Sequence, residues 1–332
     1  MNAKISVLGA GSWGTALAIQ AARNGCQTLL WGHNPEHMRP LAQNRCNSRY
    51  LPDFSFPGNL TVTADLKEAV EFSQLLLLAV PSHAFKDTLI KISPLASPGI
   101  QIAWATKGFN PEDGSLLHQS VHQVFSKDTP SAVLSGPTFA REVAADLPTA
   151  ITLAANRPEF AEHLTRILHS SRFRIYTSTD LIGVQVGGAV KNVLAIAAGI
   201  ADGLNFGANT RAALITRGLH EIMLLGLKLG GKQETFMGLA GLGDLILTCT
   251  DDQSRNRRFG LALGQNKNRS TAKQEIDQEI EGVSAAKQTF LLAQKHGIDM
   301  PITEQTYKVL YENLPPVVAV QNLLDRELKA ES

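Results

Sequence analysis

Cysteine is scarce in this 332-residue chain, which carries three, Cys26, Cys46 and Cys249. They are scattered and odd in number, with no C-x-x-C spacing, which excludes a disulfide framework and offers no zinc or redox pair. Reduced thiols are expected. An excess of one charge is missing too, because 31 Lys and Arg stand against 30 Asp and Glu. No global field recruits nucleic acid or an anionic membrane surface, so any anion has to be bound locally. No run approaches the roughly 18 apolar residues of a membrane span; the nearest are "LLLLAV" at 75–80 and an Ala-rich stretch at 188–203. The opening "MNAKISVLGAG" lacks the basic, apolar and cleavage regions of a signal peptide. A cytoplasmic protein whose mature form begins there is the expectation. Metal-ligand spacing is also lacking: the nine histidines are dispersed, and His118 and His122 stand at i, i+4 without a nearby third ligand. They read as a polar helix face, and no metal is expected. No internal repeat or low-complexity tract occurs; "NKNRSTAKQE" at 266–275 is a polar loop candidate.

What is present is a globular composition, 44% hydrophobic and 18% charged, on a chain long enough for two domains. Short β-branched or Leu-rich runs alternate with helical patterns up to about residue 177, the habit of a parallel sheet covered on both faces. The strand candidates are "KISVLG", "TLLWG", "LTVTA", "LLLLAV", "IQIAWAT", "SAVLSG", "TAITLAA" and "FRIYT", with helices at 12–24, 65–72, 115–125 and 158–169. Beyond "TSTD" at 177–180 the patterns are helical. The spacing predicts an α/β Rossmann-like domain at 1–180 and an all-α domain at 181–332.

"ISVLGAGSWGTALA" places Gly9, Gly11 and Gly14 in a G-x-G-x-x-G spacing between a strand and an amphipathic helix. The first Gly allows the tight turn, the second lets a pyrophosphate approach the backbone, and the third lets helix and strand pack closely. The alternative is a structural glycine turn. A NAD-specific site places Asp or Glu about 20 residues further on, but here "LLWGHNPE" puts His33 and Asn34 at that point. Without a carboxylate to repel a 2′-phosphate, NADP(H) is expected to be accepted beside NAD(H); otherwise His33 is a solvated loop residue. At later strand ends lie "VPSHAF", "ATKGFN" with Lys107, and "SGPTFA" with Gly136, Pro137 and Thr138. In open α/β sheets ligands bind at these ends, so Lys107 is either a functional cation or an ordinary surface lysine.

"GAVKNVLAIAAGIADG" at 188–203 is small and apolar yet holds Lys191 and Asn192. An unpaired buried ammonium is costly, so Lys191 either snorkels at a helix edge or serves as an acid/base whose charge a carboxylate and a substrate offset. Asp244 in "GLGDLILT" is the carboxylate candidate, unless it is only an N-cap. In "SRNRR", Ser254, Arg255 and Asn256 offer the donors a phosphate dianion needs, where arginines alone would suit a solvated face.

With these residues in hand, the chain resembles the NAD(P)-dependent glycerol-3-phosphate dehydrogenases of the bacterial soluble type over nearly its whole length. "GAGSWGTALA", "SGPTFAREV", "GGAVKNVLAIAAGIADG", "GLAGLGDLILTCT", "SRNRRFG" and "IEGVSAAK" follow in the family's order. The resemblance implies reversible reduction of dihydroxyacetone phosphate to sn-glycerol 3-phosphate, a precursor of glycerophospholipids. It implies cofactor contacts at Ser12, Trp13, His33, Lys107, Ala140, Arg255, Glu279 and Glu281. It implies a substrate site of Lys107, Gly136, Thr138, Lys191, Asp244, Ser254, Arg255 and Asn256, with Lys191 as the acid/base, Lys107 polarising the carbonyl and Asp244 orienting the lysine. Two departures are visible: Thr138 stands where Ser is common, and Glu279 where relatives are often apolar. Competing readings are a reductase of another small hydroxy acid and a non-catalytic NADPH sensor. A homodimer is expected.

Overall fold

The computed structural model describes residues 3–326, which form two compact units. The first runs to Asn110 and resumes over Ser115–Gln185; the second comprises Pro111–Gly114 and the chain from Val186 onward.

Ten strands lie among the described residues of the first unit: β1 (Lys4–Leu8), β2 (Gln27–Trp31), β3 (Cys46–Asn47), β4 (Leu51–Ser55), β5 (Leu60–Thr63), β6 (Leu75–Leu78), β7 (Gln101–Trp104), β8 (Ser131–Ser135), β9 (Thr149–Ala155) and β10 (Phe173–Ser178). Eight of them form one sheet in the order β10-β9-β8-β7-β6-β1-β2-β5, and β3 with β4 makes a separate two-stranded ribbon. Central strands such as β6 and β8 are buried along their whole length, because helices cover both sheet faces. Packed against the sheet, the helix Ser12–Arg23 buries an unbroken run from Gly14 to Ala22. All eight sheet strands match the sequence candidates.

The expectation of a parallel sheet is corrected at one place, since β9 runs antiparallel to β8 while β9 and β10 are parallel to each other. Between β8 and β9 the only helix is Ala140–Ala144, five residues long. At about 1.5 Å per residue it is too short to carry the chain back along a strand rising about 3.3 Å per residue. The chain therefore turns at Gly136 and returns beside β8. The next connection holds an eleven-residue helix, Pro158–Leu168, and makes the parallel crossover.

The second unit is helical throughout its described residues. Its central element is Leu181–Gly203, whose first turn belongs to the first unit. There the Gln185 side-chain oxygen accepts the His118 N–H at 3.1 Å, tying this turn to the helix Leu117–Val124. The division between the two compact units thus falls inside the helix, after Gln185. This helix is long and apolar enough to cross a membrane by length and composition, which the run-by-run reading missed; 89% of its 18-residue apolar window is buried inside the protein. The small residues let neighbouring backbones come close: a Cβ on Gly199 would lie 2.0 Å from the Arg257 carbonyl, and one on Gly260 would lie 2.0 Å from that of Ile196. Helices Leu181–Gly203 and Arg255–Gly264 are therefore in backbone contact.

Candidate active site

The carboxyl ends of β1, β2, β6, β7 and β8 share one edge of the sheet, because these strands are mutually parallel. At the end of β1, Gly9 has φ +125°, and a Cβ there would meet the Ala79 carbonyl oxygen at 2.6 Å. On Gly14 a Cβ would lie 1.9 Å from the Gly9 carbonyl oxygen. These two glycines are demanded by the turn itself. Gly11 has open space where a side chain would stand and serves as N-cap of Ser12–Arg23, whose first N–H groups are the unpaired donors that a helix start offers an anion. Trp13, the second residue of the helix, has a buried indole N–H with no partner among the described residues. This cradle fits a dinucleotide pyrophosphate.

After β2, His33 is exposed, while Asn34 caps the helix Pro35–Asn44 by accepting the Glu36 N–H at 2.9 Å. No carboxylate occupies the point where a ribose-binding acid would stand. After β7 and β8, the Lys107 ammonium and the Thr138 hydroxyl both donate to the Gly136 carbonyl, at 3.0 and 3.1 Å. The sequence candidates Lys107, Gly136 and Thr138 are thus brought together, and Ala140 opens the short helix that follows.

A second group of candidates lies in the helical unit. Lys191 and Asp244 are 5% and 1% exposed and form an ion pair. The Lys191 ammonium also donates to the Thr248 hydroxyl at 2.7 Å, and that hydroxyl donates to the Asp244 backbone carbonyl at 2.6 Å. Asp244 sits in the first turn of the helix Asp244–Thr250, whose N-cap Gly243 makes no side-chain bond. Pairing with a cation accounts for the buried Asp244 carboxylate, and the Lys191 charge is not snorkelled into solvent. Next to Thr248, the Cys249 thiol is pushed up to about 12 by burial and stays protonated at neutral pH.

Asn192 joins this ion pair to the Ser254–Asn256 turn. Its side-chain oxygen accepts from the Asn256 amide at 2.9 Å, and the Asn256 oxygen accepts the Gly282 N–H at 2.9 Å. Ser254 caps the helix Arg255–Gly264 through the Arg257 N–H at 3.2 Å. Arg255 reaches the Gln278 side chain at 3.3 Å, toward the segment that holds exposed Glu279 and half-buried Glu281. Arg257 faces the other way and is buried against Asp202 at 2.6 Å and against Asp252. Of the arginines in "SRNRR", Arg257 is therefore structural.

The family model described as NAD-dependent glycerol-3-phosphate dehydrogenase N-terminus matches residues 4–161, and the corresponding C-terminus model matches residues 180–321. The chain belongs to the NAD-dependent glycerol-3-phosphate dehydrogenase family. It is 56% identical over 328 residues to the glycerol-3-phosphate dehydrogenase [NAD(P)+] of Aeromonas hydrophila, covering 98% of each chain. The Methylococcus capsulatus protein of the same name is 57% identical over 98% of each chain. A crystal structure of the Coxiella burnetii glycerol-3-phosphate dehydrogenase superposes with TM-score 0.95 at 50% identity, covering 98% of this chain and 99% of that one. A ketopantoate reductase from Ralstonia eutropha, at TM-score 0.60 and 15% identity, shares the fold alone.

Two family-site neighbours escaped the sequence reading. Thr248 stands four residues after Asp244 on one helix face, a spacing that could have signalled it. Asn47 carried no such signal, since its partners Ala10 and Thr15 are over thirty residues away.

Proposed function

We propose that this chain interconverts dihydroxyacetone phosphate and sn-glycerol 3-phosphate, using NADP(H) or NAD(H). The observation that carries this reading is the buried Lys191–Asp244–Thr248 cluster, joined through Asn192 to the Ser254–Asn256 turn. An ammonium held by a carboxylate can pass a proton, and the Ser254–Asn256 turn carries hydroxyl, guanidinium and amide groups of the kind that bind a phosphate.

In the reducing direction the Lys191 ammonium gives a proton to the carbonyl oxygen, and in the oxidising direction the neutral amine takes it from the hydroxyl. A nicotinamide cofactor held by the glycine-rich turn would supply or receive the hydride. Asp244 and Thr248 fix two of the ammonium's donor directions and so orient the proton. Lys107 contributes a second cation to the developing oxyanion. Ser254, Arg255 and Asn256 hold the phosphate at the N-terminus of Arg255–Gly264, where the helix dipole favours a dianion. That remote grip aligns the reacting carbon. On the cofactor side, Gly9, Gly11, Ser12, Trp13 and Gly14 form the pyrophosphate cradle. His33 would meet the ribose, and Ala140, Arg255, Glu279 and Glu281 would be the remaining cofactor contacts.

The same reading makes the chain a cytoplasmic homodimer that supplies glycerophospholipid synthesis. Three free cysteines suit a reducing compartment, and exposed apolar side chains such as Leu227 and Met237, 45% and 54% accessible, suit pairing. Enantioselective analysis of the product from dihydroxyacetone phosphate and NADPH tests the reaction: sn-glycerol 3-phosphate is expected, and its enantiomer or no product counts against it.

A further inference from the structure

We propose that Asn47 is the positioning residue that sets the glycine-rich turn in its pyrophosphate-binding shape, an inference that rests on reading that turn as the dinucleotide site. Asn47 lies in the β3–β4 ribbon and is fully buried. Its amide nitrogen donates to the Ala10 carbonyl at 3.0 Å and to the Thr15 hydroxyl at 2.8 Å. Its oxygen lies 3.3 Å from Nε2 of His37. Both amide protons and one acceptor position are thus engaged on three segments: the turn, the helix that follows it, and the helix Pro35–Asn44.

The bond to Ala10 has a direct consequence for the ligand. Ala10 separates the first two glycines, and the peptide linking it to Gly11 is planar and trans, so its C=O and N–H point in opposite directions. By holding the Ala10 carbonyl, Asn47 directs the Gly11 N–H away from the interior, on the residue whose absent side chain leaves open space. The bond to Thr15 fixes the same turn relative to the first turn of Ser12–Arg23, whose N–H groups complete the anion cradle. On the far side, His37 packs edge-on against Tyr50 at 5.5 Å, and the Arg49 guanidinium lies 5.4 Å from the Tyr50 ring centre. The ribbon therefore braces the turn against the helix that begins at the ribose end. A buried amide without these bonds would be costly, and an apolar residue of similar size would leave the Ala10 carbonyl unheld.

The test is titration of NADPH by its fluorescence change, alongside competition by adenosine 2′-monophosphate, which shares the adenosine end but has no pyrophosphate. Asn47→Leu and Asn47→Asp both lose the donors to Ala10 and should weaken NADPH by at least about tenfold, while the mononucleotide changes by less than about twofold. Thr15→Val should weaken NADPH in the same selective way, and Thr15→Ser, which keeps the hydroxyl, should restore it. This pair carries the test if the Asn47 variants do not fold. Unchanged NADPH affinity in the folded variants overturns the proposal, as does an equal loss for both ligands, which would mark a general structural role. Failure of the unmodified chain to bind NADPH is a different result and overturns the cofactor reading itself.

Discussion

The Lys191 ammonium and the Asp244 carboxylate form an ion pair with side chains only 7% and 1% exposed, and Thr248 bonds to both. This pair explains how a largely apolar helix carries a charge at its centre. Removing one partner strands the other in the interior, which typically costs about 3–5 kcal/mol. Asp244→Ala should therefore lower the unfolding free energy by that order, and Asp244→Leu combined with Lys191→Met should recover most of it. Urea denaturation of the single and double variants checks this; a single variant within about 1 kcal/mol of the parent would contradict it.

Asp202 accepts from Arg211 at 2.7 Å and from Arg257 at 2.6 Å at the end of Leu181–Gly203. The clamp fixes the first turn of Arg255–Gly264, on which the proposed phosphate donors stand. Asp202→Ala should destabilise the fold by about 3 kcal/mol and raise KM for the phosphorylated substrate more than KM for NADPH. Parallel steady-state kinetics decide it: equal rises in the two constants would mean that the clamp does not position the phosphate turn.

Glu221 is buried and accepts from the Ile302 and Thr303 N–H groups at 2.6 and 3.0 Å and from the Thr303 hydroxyl at 2.8 Å. Burial nevertheless raises its carboxyl from 4.5 to about 7, helped by nearby Asp299. The folded state thus holds this proton more tightly than the unfolded chain does. The resulting stability is complete below about pH 4.5 and lost as pH rises through 7, about 3 kcal/mol in all. Glu221→Gln should flatten the stability profile across that window; an unchanged slope in thermal melts from pH 5 to 8 would refute the assignment.

Placing a carboxylate after β2 should repel a 2′-phosphate. His33→Asp is expected to raise KM for NADPH at least about tenfold while leaving KM for NADH within about twofold. Equal effects on both cofactors would remove the ribose end of the site from this loop.

The central sheet strands were legible because burial on both faces writes them as apolar runs, as in "LLLLAV" and "SAVLSG", whereas the less buried edge strands β5 and β10 showed through their β-branched and aromatic residues. The reversal at β9 was not, since strand direction depends on what the connection can span and leaves no mark on the strand. Helix Pro35–Asn44 was hidden by Pro40 in its interior, although Asn34 followed by Pro35 is a start signal. Lys191, Asp244 and the "SRN" turn stood out because charge in an apolar helix and clustered donors are local anomalies. Thr248 and Asn47 did not, because an isolated hydroxyl or amide acquires meaning only from the partner that folding brings to it.

The most direct test of the account is the initial rate of NADPH oxidation with dihydroxyacetone phosphate, run beside unphosphorylated dihydroxyacetone and repeated with Lys191→Ala. The account predicts fast turnover of the phosphorylated ketone alone and a loss of at least about 100-fold in the variant. Equal rates with the two ketones, or near-parental turnover without Lys191, would contradict it.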